Sequence, residues 1–75
     1  MGTKNNPGAW DCYEKAGPDE PMFVLLARDP LACGLVRLWA QRALQVHGPE
    51  KAAEALACAG AMELWRRDNP PEQKM

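Results

Sequence analysis

PDEPMFVLLARDP, running from Pro18 to Pro30, decides how the rest of this 75-residue chain is read. An apolar run, Met22–Ala27, stands between two acid–proline signals, Asp19-Glu20-Pro21 and Asp29-Pro30. Each signal reads as a helix start. A carboxylate can accept from free backbone N–H groups, and a proline in the first turn forfeits no hydrogen bond. Two successive starts predict a short, buried element that ends where the next helix begins. Six apolar residues with Phe23 and Val24 also suit a buried strand, and periodicity alone does not separate the two. The capping chemistry favours a short helix; the strand survives as a segment pairing with its own copy across a dimer.

Downstream, Leu31–His47 is the clearest helical pattern. Leu31, Leu35, Leu38, Trp39, Ala43 and Val46 fall on one stripe at helical spacing, widened by Ala32 and Val36. Cys33, Arg37, Gln41 and Gln45 lie opposite, and Arg42 projects between Leu35 and Leu38 on the apolar side. His47-Gly48-Pro49 ends this helix and opens another, to about Arg67, crowded with alanine and offering two faces to neighbours. Within it, Glu63 and Arg67 have the spacing for a pair. Upstream, Ala9–Ala16 predicts two helical turns, with Trp10 and Tyr13 on one face against the core, ended by Gly17-Pro18.

The expected fold is therefore all-α, a compact bundle of three to four short helices whose last two form a helical hairpin. Its expected organisation is a flexible segment over 1–8, one helical domain over 9–67 and a polar tail over 68–75. Seventy-five residues are barely enough for one core, so self-association into a homo-oligomer is expected.

Composition narrows the function classes. Nine basic against ten acidic residues give a formal charge of −1, which argues against nonspecific nucleic-acid binding by phosphate neutralisation. No apolar run approaches the roughly 18 residues of a membrane span. Three cysteines without a CxxC spacing, and no signal peptide, fit reduced thiols in a cytoplasm. Cys12, Cys33, Cys58 and His47 are too scattered for the paired ligands of a structural zinc site, so no metal and no other cofactor is expected. The chain has no serine, and its single histidine sits at a helix end, so neither a nucleophile–base pair nor an enzyme is expected.

Binding residues are easier to nominate. Arg28 precedes the second helix start, where free N–H groups favour anions. With Arg37 and Arg42, Asp29 at the cap, and Trp39 or Trp65 for stacking, it suits a small anionic ligand such as a nucleotide. Asp19 and Glu20, beside the apolar run, suit a protein partner. The plainer alternative pairs Arg28 with Asp29 or Asp19 and lays the Arg42 stem over the core edge.

PDEPMFVLLARDP, continued by LVRLWA and later by KAAEALACAGAMELWR, resembles a group of small uncharacterised bacteriophage-encoded helical proteins, over about Cys12 to Arg67. The resemblance implies an accessory protein in the host bacterial cytoplasm, with no activity carried over. For function the resemblance implies binding and neutralising a host factor, in counter-defence or host takeover. Sequestering a nucleotide second messenger, or serving as a structural phage component, are the alternatives.

Overall fold

A computed structural model of the protein describes residues 1–70. Its elements are a single-turn helix α1 (Cys12–Lys15) and two long helices, α2 (Ala32–Val46) and α3 (Pro49–Asp68). No strand occurs among the described residues. The long helices pack against each other as an antiparallel hairpin. No helix among the described residues is long and apolar enough to cross a membrane.

Local chemistry explains the ends. Asp11 caps α1 by accepting from the Tyr13 N–H. Just before α2 the Asp29 carboxylate accepts from Leu31 N–H at 2.9 Å and the Asp29 carbonyl accepts from Ala32 N–H, closing a turn around Pro30. In place of the expected Asp29 cap, the helix has Leu31 at its N-cap and no side-chain cap. The link between the long helices is only His47-Gly48, with Gly48 at φ 91° and ψ 171°. Pro49 then begins α3 without losing a bond, and Arg66 and Arg67 meet the negative end of its dipole.

The hairpin seam corrects the expected packing. Ala32, Ala40 and Ala43 of α2 are buried with Ala52, Ala55 and Ala59 of α3, and no larger apolar side chain among the described residues is. Of the predicted stripe, only Ala43 and, from its widened edge, Ala32 lie in this core. Leu31, Leu35 and Leu38 are 66%, 47% and 46% exposed, and Trp39 and Val46 are exposed as well. The reason is helix geometry. In the 100° steps of a helix, Ala32, Val36, Ala40 and Ala43 share one line, while Leu31, Leu35, Leu38 and Arg42 share another, about 125° around the helix. α2 thus has two apolar faces, and α3, itself alanine-rich, approaches the small one closely.

The upstream segment also departs from expectation. Met22–Ala27 is neither helical nor buried: Phe23 is 82% exposed, and Val24 and Leu26 are exposed too. A helical nucleus this short needs a cap, as the four-residue α1 has in Asp11, and Met22–Ala27 has none. The Glu20 carboxylate meant for its cap accepts from Gly17 N–H instead, closing a turn with Glu20 N–H donating to the Gly17 carbonyl. A seam closed by methyl groups leaves no slot for Phe23. α1 is likewise shorter than predicted, and Tyr13 points to solvent while Trp10 is half-buried.

α3 does meet neighbours on two faces. Opposite its α2 side, Glu54 lies 3.7 Å from the Met1 ammonium, which donates to the Pro7 and Trp10 carbonyls. Thr3 and Asn6 close a tight turn in this N-terminal segment. The expected polar tail begins at the end of α3, and its residues 71–75 lie outside the described residues.

Gly34 sits inside α2 with open space where a Cβ would project. Gly34→Ala is therefore expected to stabilise the fold by about 1 kcal/mol. A thermal melt checks this; a lower midpoint would mean that something approaches the helix closely there.

Candidate functional site

The candidate residues divide into three places. The first is a shallow hollow of about 230 Å³ between the N-terminal turn, the approach to α2 and the last turns of α3. Arg28 and Trp65, nominated independently, both line it, together with Lys4, Leu25 and Met62. A hollow lined by two cationic residues and a tryptophan supplies the residue types that hold an anion with a flat ring by charge and stacking. Arg28 forms no ion pair with Asp29 or Asp19 among the described residues.

The nominated anion site at the start of α2 is not free. The Asp29 carboxylate already satisfies Leu31 N–H there, and its own negative charge competes with any incoming anion. An anion would have to use the hollow.

The second place is α2 itself, where the remaining arginines separate. Arg37 donates to Glu63 of α3 at 2.6 Å and to the Cys33 sulfur at 3.5 Å. The Glu63 hydrogen bond, then its charge, raises the Arg37 pKa further and keeps the guanidinium committed to the hairpin. This also corrects the expected Glu63–Arg67 pair; Arg67 instead lies 3.6 Å from Asp68. Both pairs are largely solvated and stabilise the fold little. Arg42 stands exposed among the leucines, with no ion pair or hydrogen bond within the described residues. Trp39 stacks on His47, with ring centroids 5.6 Å apart and planes 22° from parallel, so it is not beside Trp65's hollow partners.

The third place is the irregular segment between Glu20 and α2. Residues 21–25 make no backbone hydrogen bond with any described residue, and Phe23 and Val24 project from it. Asp19 and Glu20 stand exposed at its start.

Cys12 is exposed while Cys33 and Cys58 are half-buried, and no three potential metal ligands cluster among the described residues. Lys4 is the residue that sequence reasoning missed. It lies in a polar turn some sixty residues from Trp65, and no local pattern links the two.

No family model matches the chain, and neither a curated protein nor a solved structure matches it.

Proposed function

We propose that the protein acts by binding rather than catalysis, as a phage accessory protein that occupies and neutralises a host protein in the bacterial cytoplasm. The observation that carries this reading is the segment Pro21–Leu25. It lies outside any helix, it presents Phe23 and Val24 to solvent, and its backbone groups make no hydrogen bond with another described residue. Such a segment can add to the sheet edge of another protein, main-chain bonds supplying affinity and alternate side chains specificity. Asp19 and Glu20 beside it favour a target with a basic rim. A large apolar surface left open by an alanine core also supports self-association of the chain.

The test is native mass spectrometry of the protein recovered from infected cells. A complex of fixed stoichiometry with one host protein is expected. Phe23→Asp should weaken that complex by about 2 kcal/mol or more, the scale of an aromatic anchor, without changing helix content. A host complex indifferent to Phe23 would show that Pro21–Leu25 is not the binding segment.

The hollow supports a second reading, sequestration of a small anionic ligand such as a nucleotide, because Lys4, Arg28 and Trp65 converge there. On this reading Arg28→Ala should cost about 1.5–3 kcal/mol of ligand affinity, the scale of a charge-assisted hydrogen bond. Titration calorimetry with cyclic and linear nucleotides decides it. No heat with any of them leaves the protein target, or a structural role in the phage particle.

A further inference from the structure

The geometry points to a receptor for a primary ammonium group on the side of α3 turned away from α2. The α-amine of Met1 fills it and so latches the N-terminal wall of the hollow in place. That ammonium donates to the Pro7 carbonyl at 2.8 Å and to the Trp10 carbonyl at 2.7 Å, and it lies 3.7 Å from the Glu54 carboxylate. Such a group has three N–H donors and no acceptor, so two carbonyls and one carboxylate suit it. Met1 and Glu54 are half-buried, and their pairing is screened less than that of exposed charges. Gly8 is fitted to the same contact. It holds φ 84°, and a Cβ there would stand 2.5 Å from the Met1 carbonyl oxygen and 2.7 Å from Glu54 Oε1.

The latch reaches the hollow through the chain. Among the described residues, the Met1 ammonium makes the only hydrogen bonds and ion pair that tie residues 1–6 to the rest of the protein. Within that stretch Thr3 N–H donates to the Asn6 carbonyl, and Asn6 N–H donates to the Thr3 carbonyl and hydroxyl. Gly2, Thr3 and Lys4, in or beside this turn, line the hollow with Arg28 and Trp65. An acyl group or a further residue on the Met1 nitrogen removes the charge and leaves a single N–H. Loss of Met1 carries the amine away from Gly8. Either change opens the receptor, frees the turn and withdraws Lys4 from the hollow. A free amine at Met1, however it arises, closes it.

The experiment compares amide hydrogen exchange and indole chemical shifts in three full-length chains: free amine, N-acetylated, and Gly8→Ala with a free amine. The acetylated chain is made by ligating a peptide of residues 1–11 to the remainder at Cys12, with a free-amine chain ligated the same way as its control. In the free-amine chain the Thr3 and Asn6 amides are expected to be protected. In the other two they should exchange about tenfold faster or more, as the loss of charge-assisted hydrogen bonds frees the turn. The Trp65 indole resonance should move with them, while circular dichroism shows unchanged helix content. Unprotected Thr3 and Asn6 amides in the free-amine chain, or equal protection after acetylation, would overturn the latch. Full protection in Gly8→Ala would overturn the fit of Met1 and Glu54 around that residue. Faster exchange with an unmoved Trp65 resonance would overturn the link to the hollow. Loss of helix content on acetylation would contradict a latch confined to the N-terminal turn.

Discussion

Ala55→Leu is expected to cost about 3 kcal/mol and to lower the melting temperature by roughly 15 °C, although it adds only apolar atoms. Ala55 is fully buried between α2 and α3, where its neighbours across and along the seam are alanines. The separation of the two helices is set by methyl groups. A leucine there must either push the axes apart, undoing the burial of Ala40, Ala43, Ala52 and Ala59, or adopt a strained rotamer. The contrast that identifies the cause is Leu44→Ala, at an exposed position on α2, which should stay within about 0.5 kcal/mol of the parent chain. Denaturant melts of both variants check it. A tolerant Ala55 would mean that the hairpin is looser than its seam implies.

The second large effect is expected at Gly48, where the chain reverses within two residues. Its φ of 91° and ψ of 171° fall in a region that only glycine enters freely. Nothing lies within 4 Å of the point where a Cβ would project, so the cost of Gly48→Ala is conformational and not steric crowding. About 1–3 kcal/mol is expected, visible as a midpoint shift with helix content retained below it. D-alanine at the same position, which accepts positive φ, should instead hold or raise stability. Equal effects from the two enantiomers would contradict the assigned backbone.

These two sites also mark how far the sequence was readable. The ends of α2 and α3 follow from residues whose chemistry is local: Asp29 and Pro30 at one start, His47-Gly48-Pro49 at the turn. Each needs only its immediate neighbours to act. The facing of α2 does not, because a helix with leucines on one side and alanines on the other has two apolar faces. Which of them meets α3 depends on the alanines of α3 permitting close approach. Large residues were expected inside because they bury more area, about 0.8 kcal/mol per buried methylene. The hairpin takes the closely fitting small surfaces and leaves the leucines outward.

Met22–Ala27 was misread for a related reason. Its composition suits burial, but burial requires a groove, and a seam of methyl groups offers none. Glu20, assigned as a helix cap, closes a turn with Gly17. At the candidate site, Arg28 and Trp65 were nominated for their side-chain chemistry, and the fold brings them together with Lys4. Arg37 and Trp39 were nominated on the same grounds, but Glu63 and His47 engage them within the hairpin. Nothing in the spacing of these residues along the chain separates the engaged pair from the convergent one.

Alanines, and not leucines, join the two long helices, leaving a leucine face and an exposed apolar segment available for binding. Methyl nuclear Overhauser effects within a single chain test it most directly, recorded on labelled protein mixed with unlabelled so that contacts between copies are filtered out. Cross-peaks are predicted between the methyls of Ala32, Ala40 and Ala43 and those of Ala52, Ala55 and Ala59. Intrachain cross-peaks from the Leu35 and Leu38 methyls to those α3 alanines would contradict the account.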